Sequence, residues 1–132
     1  MTVLVADAFS ADAQARLADA GLTVIDRPAP ERYVGSSIQL LLLDWAAEAV
    51  QEVLRRCAAR GVELKWFGGA EPVAFTSRYD SWRYAESVPL PRTDRVLAGL
   101  LDMRLPLTFS VDDCAQIARI IRAEVSAVHQ QG

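Results

Sequence analysis

The run from Ile38 to Leu43 is aliphatic but for Gln39, and Ser36-Ser37 and Asp44 bound it. A run so short and apolar suits a strand covered on both faces or central in a sheet. The adjoining segment narrows the topology. Val50, Val53, Leu54 and Cys57 recur at helical spacing. Arg55, Arg56 and Arg60 crowd toward the end of that helix, where the macrodipole favours cations, and Gly61 supplies a C′ stop. Val62 to Trp66 then returns as a strand.

The N-terminal segment repeats the alternation. Val3-Leu4-Val5 reads as a short buried strand, Ser10 as the N-cap of a helix ending at Gly21, and Leu22 to Ile25 as a second strand. Pro28 and Pro30 break the chain, and the segment to Gly35 is a loop in which Tyr33 and Val34 touch an apolar surface. Strand, helix, strand, strand, helix, strand is the split βαβ order of a ferredoxin-like sandwich. The expected fold is therefore α+β: a two-layer sandwich with a mainly antiparallel sheet, a ferredoxin-like βαββαβ core with helices on one face, and further C-terminal helices. At 132 residues, 52% hydrophobic, residues 1–132 suit a single domain with one core.

Beyond residue 90, Thr93 can cap a helix running to about Leu101, and Leu105-Pro106-Leu107 reads as an extended crossing segment. Ser110 opens the last helix with a capping-box pattern that places Asp112 and Asp113 in its positive first turn. The apolar stripe Cys114, Ile117, Ile121, Val125 and Val128 marks it as a docking helix. Its tail, His129 to Gly132, is expected to fray.

Charge and the rarity of certain residues remove several function classes. A net charge of −3 argues against nucleic acid as a partner. No basic start followed by a long apolar stretch is present, and Leu40 to Leu43 is too short to span a bilayer, so a cytoplasmic protein without a membrane partner is expected. Cys57 and Cys114 lie on apolar helical stripes, where free thiols pack as small hydrophobes. One histidine, His129, close to the C-terminus, gives no basis for a nucleophile, histidine and acid triad. With two cysteines on separate helices it also offers no metal-ligand pair.

The residues that do suggest recognition gather in one place. Trp66 to Tyr84, WFGGAEPVAFTSRYDSWRY, contains six of the ten aromatic residues, interleaved with Arg78, Arg83, Asp80 and Glu71. Aromatics and guanidinium groups in such a mixture suit a surface for a planar or anionic group, and equally a protein interface or a core. Gly68-Gly69 lacks a phosphate-loop pattern and reads as a turn. Arg78, Arg83, Arg92, Arg95 and Arg104 offer forks for carboxylate or phosphate, with Arg92 and Arg95 read as solvated charges. Arg104, between Met103 and Leu105-Pro106-Leu107, requires a defined partner, either a ligand or an acid such as Asp80 or Asp102. Lys65, the only lysine, reads as a solvent-facing strand residue rather than a Schiff-base former.

From Gly35 onward the chain resembles the C-terminal small domain of the pyridoxal-phosphate-dependent DegT/DnrJ/EryC1/StrS aminotransferases, the sugar aminotransferase family. The resemblance rests on SSIQLLLLDWAAEAVQEVLRRCAARGVELKWF, on the aromatic loop after it, and on DMRLPLTFSVDDCAQIARII, with its "LPL" and acid-bearing helix start. It covers about residues 35–128, while residues 1–34 are an atypical N-terminal βαβ start that looks more like the first unit of a 2-hydroxyacid dehydrogenase. Many members carry a His-x-Gln-Pro type loop where this chain has Glu71-Pro72-Val-Ala-Phe75.

In that family the aldimine lysine, the acid facing the pyridine nitrogen and the phosphate-binding residues belong to a large domain preceding this one. Lys65 does not match that lysine. The resemblance thus implies no catalytic residue here, and pyridoxal phosphate (PLP) only through a partner. It implies a free-standing small domain that completes or binds a PLP-carrying large-domain protein, or that self-associates. The rim facing the cofactor cleft would be Lys65, Trp66, Phe67, Arg78, Tyr79, Trp82 and Arg104. The alternatives are a non-catalytic ligand- or protein-binding module that has lost the PLP domain, and a domain excised from a longer enzyme.

Overall fold

The computed structural model describes residues 2–4, 23–24, 36–69 and 88–130, the first two segments as backbone only. The fold class is α+β. Strands β1 (Thr2–Leu4), β2 (Thr23–Val24), β3 (Ser37–Leu41), β4 (Lys65–Trp66) and β5 (Leu100–Arg104) form one sheet in the order β2-β1-β3-β5-β4. The β1–β2 pairing is parallel; β1–β3, β3–β5 and β5–β4 are antiparallel. Helices α1 (Ala47–Ala59), α2 (Pro91–Ala98) and α3 (Val111–His129) complete the described elements. The expected helix from Ser10 to Gly21, the loop of Pro28 to Val34, and the aromatic stretch from Ala70 to Tyr84 lie outside the described residues.

Side-chain alternation decides which face is core. Ile38, Leu40 and Leu42 from β3 and its exit are buried, as are Leu101, Met103 and Leu105 from β5 and its exit. The period of two places both sets on one face. Val50, Val53 and Cys57 of α1 and Ile120, Ile121, Val125 and Val128 of α3 join the same cluster. Each fully buried aliphatic side chain contributes about 1.5–3 kcal/mol, so this one layer of contact between sheet and helices dominates the stability of the described frame. The opposite sheet positions are only partly buried, and Ser37, Gln39 and Asp102 among them are polar. Gln39 donates from its amide to the Asp102 carboxylate at 2.8 Å and to the Ser37 hydroxyl at 2.9 Å.

Three expectations are corrected by the placement of β5. Leu100 and Leu101 belong to that strand, not to the end of a helix: α2 begins at Pro91 and ends at Ala98, with Gly99 as C-cap. Proline at the first helical position fits there because its missing N–H is one that a helix start leaves unbonded anyway. Second, the extended segment is Leu100–Arg104, upstream of Leu105-Pro106-Leu107. Its alternation is hidden in the sequence because Leu100 and Leu101 also continue the helical spacing of Val96 and Leu97. Third, β1 and β2 are direct neighbours, and β5 rather than an N-terminal strand separates β3 from β4. The first six elements therefore do not form a βαββαβ unit with the strand order expected.

The helix ends obey their local chemistry. Ser110 accepts a hydrogen bond from the Asp113 N–H while Asp113 accepts from the Ser110 N–H at 2.9 Å, completing the expected capping box. The Ser110 hydroxyl, donating to the Asp113 carboxylate at 2.7 Å, and then the Ser110 N–H hold that carboxyl below its ordinary range. Gly61 comes after α1 with φ of 81°, the left-handed conformation that glycine adopts without a Cβ penalty. The end of α3 is not free. His129, the first residue of the tail expected to fray, stacks on Trp45 at the entry of α1, ring centroids 5.5 Å apart, while Gln131 and Gly132 lie outside the described residues.

Candidate functional site

Only Lys65 and Trp66 of the segment Val62 to Trp66 pair with β5, through Lys65↔Asp102 and Trp66↔Leu101. Phe67 extends the ladder by donating its N–H to the Leu100 carbonyl at 3.0 Å. Upstream, Val62 to Leu64 depart from β5, and a groove of about 830 Å³ opens along the sheet edge. Leu54, Arg55 and Ala58 of α1 wall one side; Lys65, Asp102 and Arg104 lie on the other, and Pro106 and Phe109 close the end toward α3. A volume of this size suits a small organic ligand.

The turn after β4 is built around Trp66. Its indole N–H donates to the Ala98 carbonyl at 2.8 Å, docking the end of α2 against the sheet edge. A Cβ on Gly68 would come within 2.6 Å of that carbonyl and 2.7 Å of Trp66 Nε1. Gly68 is therefore a packing requirement of the turn, in agreement with the turn expected at Gly68-Gly69.

Of the seven rim residues expected from the resemblance, Lys65, Trp66 and Arg104 line the groove together. Phe67 is half-buried beside them in the chain but does not line it. Arg78, Tyr79 and Trp82 lie outside the described residues. Of the two acids offered as partners for Arg104, Asp80 lies outside the described residues and Asp102 is not its partner: Arg104 is exposed, and no ion pair joins it to a described residue. Asp102 instead accepts from Gln39, its neighbour on β3. Lys65 is half-buried, and no ion pair joins it to a described residue. Arg55 is already committed, with Nε and Nη2 both 2.7 Å from the Glu52 carboxylate.

Arg95, expected as a solvated charge, forms a two-pronged contact with Asp44, its Nε 2.6 Å from Oδ1. The guanidinium holds the Asp44 carboxyl below its ordinary range. Asp44 has φ of 64°, a conformation that aspartate tolerates better than most residues. The clamp joins the β3–α1 turn to α2, across 51 residues of sequence, and no local pattern announces a pairing of that range.

Cys57 is fully buried, and desolvation pushes its thiol up to about 11, away from nucleophilic chemistry. Cys114 is partly exposed rather than buried, its thiol also raised by burial. Among the described residues no group of three or more His, Cys, Asp or Glu could hold a metal ion, and no helix is long and apolar enough to cross a membrane. Set against known protein families, curated proteins and solved structures, the chain matches none.

Proposed function

We propose that this chain is a recognition domain without catalytic residues of its own, the small-domain counterpart of a DegT-type aminotransferase, which completes or binds a separate PLP-carrying large domain. The observation that carries this reading is the juxtaposition of Lys65, Trp66 and Arg104 along one groove at the open edge of the sheet, where a second body can close over them. The sequence passages that resemble the family supply β3, α1, β4, most of β5 and the first half of α3, and of these α1, β4 and β5 line the groove. We read the described frame as a rearranged ferredoxin-like sandwich: β1-β3-β5-β4 has the alternating directions of that fold, with the N-terminal strand in the position of its last. In this reading the chain works in the cytoplasm, the partner supplies cofactor and covalent chemistry, and the groove positions the keto substrate or seals the subunit boundary.

The test is spectroscopic and enzymatic. Purified chain is mixed with PLP, alone and with a PLP-carrying large-domain protein of that family. The expected result is an unchanged visible spectrum for the isolated chain, co-elution with the large-domain protein, and transaminase activity only in the mixture. Cofactor binding by the chain alone, or a mixture that neither co-elutes nor gains activity, overturns the reading. The alternative, a binding module that acts without any PLP domain, is favoured by a groove already formed in the single chain and predicts ligand binding with no partner added.

A further inference from the structure

We infer that the open edge of β5 at Arg104 is a binding site for a small carboxylate with an apolar body. The inference rests on the groove being a recognition site but not on any large-domain partner. The backbone supplies the first donor. Leu42 donates its N–H to the Gly99 carbonyl and Leu105 donates to Ser36, both at 2.9 Å, so residues 99, 101, 103 and 105 turn their peptide groups toward β3. The alternate residues Leu100, Asp102 and Arg104 therefore turn theirs toward β4, as the Phe67 to Leu100 bond demonstrates.

Leu100 and Asp102 meet Phe67 and Lys65 there. Arg104 would meet Glu63, but pairing stops at Lys65, and no described residue bonds the Arg104 backbone on that side. Arg104 thus faces the groove with a backbone N–H and a guanidinium that have no partner among the described residues. Lys65 lies directly opposite Asp102, which makes it the diagonal neighbour of Arg104 on the same face, about 7–8 Å away along the backbone. A carboxylate lodged between them receives charge-assisted hydrogen bonds from two sides and a backbone N–H from the strand.

The acids of the groove do not occupy this position. Asp102 is drawn toward β3 by the Gln39 amide. Glu63 is exposed on the same wall and unpaired among the described residues; it opposes an anion and so sets the sign of one variant. The rest of the lining selects the body of the ligand: Leu54, Ala58, Pro106 and Phe109 are apolar, and Phe109 stays 39% exposed at the mouth. Exposed apolar surface beside unsatisfied donors is the arrangement of a site for an amphipathic anion.

Phenylacetate is the probe, titrated into the isolated chain and followed by amide chemical shifts. Saturable movement of the Lys65 and Arg104 signals is expected, with the neutral isostere phenylacetamide leaving them in place. Arg104→Gln and Lys65→Gln should each weaken binding about tenfold or more, the worth of one hydrogen bond to a charged group, while Glu63→Gln tightens it. All three positions are exposed or half-buried, so far-ultraviolet dichroism should stay unchanged. Equal binding of the amide and the acid, wild-type affinity in Arg104→Gln, or no shift up to tens of millimolar, on the order of the weakest ligands of this size, overturns the site. Because no partner protein is present, failure of the split-enzyme reading leaves this result untouched.

Discussion

Gly68 shows how much of the site depends on one residue's lack of a side chain. A methyl group there meets the Ala98 carbonyl and the Trp66 indole nitrogen together, the two ends of the bond that docks α2. Gly68→Ala should cost about 1–3 kcal/mol, the range for overpacking a filled position, and should dim the near-ultraviolet signal of Trp66 in urea denaturation experiments. Wild-type stability would mean that the turn relaxes freely. The glycine pair was legible as a turn from its type alone, but the reason for it was not, because the carbonyl of Ala98 lies far along the chain. The same limit explains Arg95 and Arg104. The neighbours of Arg95 are silent on its clamp to Asp44, and those of Arg104 called for a partner that no described residue supplies; both outcomes are set by tertiary placement.

At the scale of elements, α1 and α3 were legible because they carry both periodicity and end signals: Gly61 after one, the Ser110 and Asp113 box before the other. Strand β5 was not, since five residues with two leucines at the start satisfy a helix or a strand pattern equally. The α1 surface also carries a charge cluster with a pH-dependent consequence. Hydrogen bonds from Arg55 and Arg56 hold the Glu52 carboxyl down at about 2, from an ordinary 4.5. A carboxyl depressed in the folded state stabilises fully above its unfolded value, and that contribution fades as pH falls from about 4.5 toward 2. Glu52→Gln should therefore be less stable than wild type at pH 6, and the two melting temperatures should converge on acidification through that window. Because Glu52 is solvent-accessible, salt should shrink the difference; an equal gap at every pH would show that Glu52 acts through packing alone. A second cluster ties the helices to each other, with Glu124 of α3 2.7 Å from Arg60 and 3.9 Å from Arg56.

At the scale of the molecule, the buried face of β3 and β5 carries the packing of the described residues against α1 and α3, and the β4 edge carries the groove. Lys65, Trp66 and Arg104 were each legible in the sequence as candidates, and their meeting on one rim results from β5 lying beside β4, the element the sequence pattern hid. By the function proposed, this edge is where the protein meets what it recognises. Amide hydrogen exchange of the chain, alone and mixed with a PLP-carrying large-domain protein of the DegT type, tests that claim most directly. Slowed exchange is expected over Glu63 to Phe67 and Met103 to Phe109, with the exposed polar side of α3 around Gln116 and Arg119 unchanged. Protection of the α3 surface with the groove left unprotected would contradict it.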